Sequence, residues 1–256
     1  MRHLLASFLF FIGILIQTAP SHAAEVMVAM DHYPPWKTVN NGQFGGIDAK
    51  LITALLSEIG TTPKFVALPW SRGLEMLKNG DMDMLTGVLR CPDREKYLHF
   101  VDPPYKTRSS KALYVRKGSL DIRRYNDLKR TRIGVQRGAT YFKEFDTDST
   151  LNKQVVTEDI LNFRKLAQGR IDVVIATESQ GDYLISSLGL NSVLKKCSYR
   201  HDKVMPVHFV ISKQSPLMSR KGEIDKAARR LRDNGTFDRI IKDYFKALAS
   251  KGLAAK

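Results

Sequence analysis

Arg94 sits in the run Pro92-Asp93-Arg94-Glu95-Lys96. A guanidinium presents a planar fork of donors that meets a carboxylate bidentately, a geometry lysine does not supply. The flanking Asp93 and Glu95 offer a plainer use, an ion pair on a solvated loop. The second group is Gly138-Ala139-Thr140, between an apolar alternating segment and a helical one. Backbone N–H groups in such a turn face the positive end of a helix dipole and suit an anion, and a glycine lets the backbone come close. An ordinary strand-to-helix turn has the same composition. Tyr33 and Trp70 carry flat rings that can cover an aliphatic stem or stack on a cation. Core packing is the alternative for both, and Trp36 reads as core.

Other chemistries lack their signatures. No GxSxG, HExxH, CxxC or GxxxxGK[ST] pattern occurs, so the familiar hydrolase, zinc and nucleotide sites are absent from the sequence. Six histidines show no metal-ligand spacing, and His99 beside Phe100 reads as structural. Two cysteines, Cys91 and Cys197, make neither a disulfide scaffold nor a four-thiolate zinc site. They could pair in an oxidising compartment or stay as two buried thiols.

The elements that must position these groups alternate in type. Residues 25–30, 64–68, 82–89, 111–116, 132–136, 172–176 and 207–212 read as strands. Helical stripes run over 47–59, 71–77, 160–166, 224–231 and 237–245, and another helix begins at 141–145. The two prolines of Tyr33-Pro34-Pro35-Trp36 make that stretch a loop. This order predicts an α/β protein with parallel sheets. No repeat and no flexible interdomain linker is visible, so two compact lobes joined by ordered strands fit the length better than two separate beads.

The chain has 256 residues, with 41 Lys and Arg against 26 Asp and Glu, a formal charge of +15. Such an excess raises nucleic acid or an anionic surface as a partner. The first residues redirect that reading. Arg2 precedes an apolar run from Leu4 to Ile16, followed by Ser21-His22-Ala23-Ala24. A basic start, a short apolar stretch and small residues before a cut describe a secretory signal peptide. Cleavage after Ala23 fits best, with Ala24 as the alternative. As a helix the run rises only about 20 Å, short of a hydrocarbon core of about 30 Å. Export to the periplasm demotes nucleic acid, and the basic surface reads first as solvated helix faces and turns, with a basic cleft drawing in an acidic solute as the alternative.

The residues then resemble a known family. Asp83-Met84-Leu85-Thr86-Gly87, followed by Pro92-Asp93-Arg94-Glu95-Lys96-Tyr97-Leu98-His99-Phe100 and Val101-Asp102-Pro103-Pro104-Tyr105, resembles the signature of the family 3 extracellular solute-binding proteins, periplasmic components of polar amino-acid ABC transporters. The likeness extends upstream to Tyr33-Pro34-Pro35-Trp36 and Gly46-Ile47-Asp48. Downstream it includes Ile133 to Thr140, Gly169-Arg170-Ile171-Asp172 and Asp233-Asn234-Gly235-Thr236-Phe237.

The resemblance implies a two-lobed α/β fold of the type II binding-protein kind, with two hinge strands and the ligand between the lobes. Residues 1–23 would be the signal peptide, 24–112 plus 207–256 lobe 1, and 113–206 lobe 2, with hinges near 113–116 and 207–211. Arg94 would grip the ligand α-carboxylate, and Gly138, Ala139 and Thr140 would give it backbone N–H groups. Thr86 and Gly87 would contact the amino group, while Tyr33 and Trp70 would line the ligand side chain. One departure stands out. The aspartate that pairs with a ligand ammonium, five residues after Asp172, is here Thr177, and Glu178 follows. Either Glu178 replaces it or no lobe-2 carboxylate meets the ligand, which admits other small carboxylates. The implied function is capture of a small polar solute, an amino acid foremost, for an inner-membrane ABC transporter permease, by a monomer without metal or cofactor. The alternative is an enzyme of the cyclohexadienyl-dehydratase type using Glu178 as its acid.

Overall fold

In β1 (Glu25–Met30), alternate side chains enter different cores: Val26 and Val28 join one cluster, Ala29 the other. A strand buried on both faces is the signature of a sheet covered on both sides. A computed structural model describes residues 25–253, so the expected signal segment lies outside the described residues. A hairpin of β2 (Thr38–Asn40) and β3 (Gln43–Gly45) leads into α1 (Ile47–Ser57), β4 (Thr62–Ala67), α2 (Trp70–Asn79) and β5 (Met84–Leu89). The short α3 (Pro92–Glu95), β6 (Leu98–Phe100) and β7 (Lys106–Arg108) follow. Next come β8 (Lys111–Arg116), β9 (Arg132–Gln136), α4 (Lys143–Thr147), β10 (Asn152–Val156), α5 (Asp159–Ala167), β11 (Val173–Thr177), α6 (Glu178–Ser187) and β12 (Leu194–His201). The chain closes with β13 (Val204–Ser212), α7 (Lys221–Asp233) and α8 (Thr236–Ala249).

Two separate sheets result. The first has the order β4-β1-β5-β13-β6 with β7 beside β13, and the second β10-β9-β11-β8-β12. In the first, β1 is parallel to β4 and β5, while β13 returns antiparallel. Leu51, Leu55, Ile224 and Phe237 of α1, α7 and α8 pack on one face, and Leu74 and Leu77 of α2 on the other. The second sheet is covered by Phe163 and Leu166 of α5 and Leu184 of α6 on one face and by Phe142 and Phe145 on the other. Each such side chain removed from water contributes about 1.5–3 kcal/mol, so each lobe has its own core.

The chain crosses between the sheets at 109–110 and again at 202–203, where Ser110 Oγ donates to Asp202 Oδ1 at 2.6 Å. This differs from the expected hinge strands: β8 lies wholly in the second sheet and β13 wholly in the first. Both strands are too well paired along their lengths to act as crossings, so the crossings fall in the short segments before them. Cys91 precedes α3 and Cys197 lies in β12, and both are free thiols.

The Tyr33-to-Trp36 loop is pinned against the start of α1. Asp48 N donates to Trp36 O at 2.7 Å and Ile47 N to Pro35 O at 3.2 Å. Gly46, at φ 93°, makes this approach possible, because a Cβ there would lie 2.4 Å from the Trp36 carbonyl oxygen. Gly46→Ala is therefore expected to cost about 2 kcal/mol or more. Urea denaturation checks this, and an unchanged midpoint would refute the tight fit.

Candidate functional site

The parallel strands of both sheets point their carboxyl ends at one gap, the place where α/β sheets hold ligands. Asp31 follows β1, Leu89 ends β5, Gln136 ends β9 and Thr177 ends β11, and all four line a single cavity of about 70 Å³ between the sheets. From the first lobe come Tyr33, Trp36, Lys37, Trp70, Gly87 and Arg94, and from the second Ala139, Thr140, Tyr141 and Asp159. Lys106 and Lys111 flank the first crossing between the lobes and enter the same cavity.

Arg94 joins the two lobes. Its Nη1 donates to Leu89 O in its own lobe and its Nη2 to Gly138 O across the gap, each at 2.9 Å. Trp70 Nε1 donates to the same Gly138 oxygen at 2.9 Å, and Trp36 Nε1 reaches Ser179 Oγ at 2.9 Å. These bonds hold the lobes closed over the cavity. Only 5% of Arg94 is exposed, yet it makes no ion pair with any described carboxylate. Burial pulls its pKa below the ordinary guanidinium value, from a reference high enough that it stays charged at neutral pH.

Three acids face the cavity and each is engaged. Asp31 pairs with the buried Lys37. Asp48 accepts from Thr86 Oγ1 at 2.9 Å and Tyr105 Oη at 3.1 Å, and burial holds its pKa above the carboxylate range against the pull of Lys37. Asp159 accepts from Asn162 Nδ2 at 3.3 Å, and burial pushes its pKa up to about 6. Among the described residues Lys37 is the one cavity cation with an ion pair, and Lys111 has none. Its Nζ donates to Thr177 Oγ1 at 2.8 Å and Ser109 Oγ at 3.3 Å, both neutral, and burial pulls its pKa down to about 8. Burial and repulsion from Lys111 bring Lys106 to about 7.

Of the residues singled out in the sequence, the cavity brings together Tyr33, Trp70, Gly87, Arg94, Ala139 and Thr140. Gly138 contributes its carbonyl to Arg94 and Trp70. Thr86 is fully buried, with its hydroxyl donated to Asp48. Trp36, read as core, is both buried in the first lobe's core and part of the cavity wall. Glu178 lies elsewhere. It opens α6, and its carboxylate accepts from Lys196 Nζ at 2.8 Å and Arg200 Nη1 at 3.4 Å of β12, outside the cavity. These two cations hold it away from the gap. The sequence reading missed Asp31, Lys37, Asp48, Lys106, Lys111, Tyr141 and Asp159. Asp48 stood within a quoted motif and Asp31 two places before Tyr33, but the lysines carry no local mark in a chain with 41 basic residues.

Two α/β sheets closing on one small polar cavity define a cleft-binding protein. The chain belongs to the bacterial extracellular solute-binding proteins, family 3, whose model matches residues 26–247. It is 22% identical over 214 residues to the probable amino-acid-binding protein YxeM of Bacillus subtilis, covering 82% of this chain and 80% of the relative. It is 25% identical over 225 residues to the histidine-binding periplasmic protein of Escherichia coli K12, covering 83% and 84%. The fold is similar to an ancestral arginine-binding protein solved with arginine, with a TM-score of 0.76 at 24% identity over 86% of this chain and 98% of that one.

The raised pKa of Asp159 predicts a pH signature. A carboxyl with a folded pKa of about 6 and an ordinary value of 3.8 stabilises the fold fully while protonated, and loses that contribution as pH rises from about 4 through 6. The wild-type protein should therefore lose roughly 2 kcal/mol relative to Asp159→Asn between pH 4 and pH 7. Urea titrations at both pH values measure it, and a constant difference would contradict the burial argument.

Proposed function

We propose that this protein captures a small polar solute by a carboxylate on Arg94, in the periplasm, and presents it to an inner-membrane ABC importer. The observation that carries this reading is a guanidinium nearly sealed from water at the meeting of two lobes, with neutral carbonyls as its only acceptors among the described residues. A carboxylate is the stronger acceptor for that fork, and its arrival turns a desolvation cost into a bidentate pair. Family membership and relatives named for amino acids support a solute of amino-acid size. The N-terminal segment supports export. Ligand entry needs the lobes to part, and the segments at 109–110 and 202–203 are where the chain can swing.

Binding without chemistry is the reading the cavity favours. Glu178, the acid an enzymatic alternative relies on, is held outside by Lys196 and Arg200. The acids inside are occupied by Lys37, by the Thr86 and Tyr105 hydroxyls and by Asn162.

A thermal-shift screen over amino acids, polyamines and small organic acids identifies ligands through the rise in melting temperature that binding to the folded state imposes. Against the best ligand, Arg94→Ala should weaken binding by about 100-fold or more in calorimetry, with its circular dichroism unchanged. Arg94→Lys should fail similarly, because it keeps the charge and loses the fork. Binding within threefold of wild type in both variants would refute the assignment.

A further inference from the structure

Two facts about the cavity go beyond a single carboxylate grip. Lys111 is 6% exposed, and two of its three ammonium protons are donated to neutral hydroxyls. No described carboxylate forms an ion pair with it; Asp159 and Asp146 stand farther off and only temper its burial. Arg94 is in the same position. Two cations buried on one small cavity, with no ion pair to either among the described residues, leave both counter-charges to come from outside.

The aromatic rings add a second, independent argument. Four of the five aromatic rings that line the cavity already face a cation of the protein, and the fifth, Tyr105, packs against Phe209. Lys37 Nζ lies 4.7 Å from the Trp70 ring centre and 5.5 Å from that of Tyr33. Lys106 Nζ lies 3.7 Å from Trp36, and Lys111 Nζ 5.9 Å from Tyr141. A cationic ligand would find these faces occupied and like charges beside them. The Thr177 corner, where the sequence resemblance led one to expect an acid for a ligand ammonium, instead holds the Lys111 ammonium.

We propose that the cleft selects a small solute bearing two carboxylates, one held by Arg94 and the second by Lys111. This rests on the capture reading above and narrows it. Discrimination arises on both sides of the balance: a second carboxylate satisfies a buried cation, whereas a carboxamide or an ammonium leaves it unpaired. Lys111 then works against the stability of the unliganded fold and in favour of binding.

The test is calorimetry on the full mature chain with matched probes: succinate against succinamate, L-glutamate against L-glutamine, and L-arginine. At least one dicarboxylate should bind wild type about tenfold or more tighter than its carboxamide partner. In Lys111→Met that preference should shrink to within about threefold. The unliganded melting temperature of Lys111→Met should rise by a few degrees, since an unpaired buried charge is gone; a merely structural lysine would lower it. Lys111→Gln keeps the hydroxyl partners and serves should the methionine variant misfold. A preference for succinamate, L-glutamine or L-arginine, a preference that survives both Lys111 variants, or no binding by either dicarboxylate at millimolar concentration overturns the inference. Carboxylate binding that is lost in Arg94→Ala but shows no such preference overturns it while leaving the capture reading standing.

Discussion

Arg94 and Lys111 lie at the seam of the closed molecule, and among the described residues they have only neutral oxygens as partners. Taking a cation out of water costs several kcal/mol even after relaxation, so such positions persist only where the surroundings fix them. That fixing explains much of the architecture around the cavity. The α3 turn places Arg94 opposite the 138–140 turn, where Gly138 turns its carbonyl toward both Arg94 and Trp70. Pairing of β8 with β11 and β12 holds Lys111 at the edge of the crossing. The two rigid sheets supply the precision, and the site occupies only their ends.

The same constraint links packing to motion. Each lobe has its own apolar clusters, and the bonds across the gap are few and polar: Arg94 and Trp70 to Gly138, and Trp36 to Ser179. Such a seam can open without disturbing either core. On the proposed reading, opening would return Arg94 and Lys111 to water, and closure on an anion would give them counter-ions. The solute would thereby contribute the interaction that makes closure favourable, a population shift toward the state with differential affinity.

Much of this was legible in the sequence, for reasons that also explain what was not. Strands buried on both faces, such as β1, β5 and β11, announce themselves as short apolar runs, and α7 and α8 as stripes. β10 and β12 are edge strands made largely of polar residues, so alternation gave no signal. The α6 helix was hidden by Gly181, normally a helix weakener. It is required there because a Cβ would meet the Tyr114 ring at 2.4 Å. Arg94 and Tyr33 were singled out because they sit in runs that carry the family resemblance, and Trp70 as a flat ring able to line a ligand. Lys106 and Lys111 were not, because a lysine at a strand end is normally solvated, and only the tertiary fold turns these inward. Glu178 was weighed as a cleft acid from position alone. Two cations on β12, far away in sequence, decide where its carboxylate goes.

The most direct test of the account is a crystal structure of the protein with the tightest ligand from the screen. It should show a carboxylate bridging the two Arg94 terminal nitrogens and a second anionic group within about 3 Å of Lys111 Nζ. A ligand ammonium or an apolar group beside Lys111, or a ligand seated away from Arg94, would contradict it.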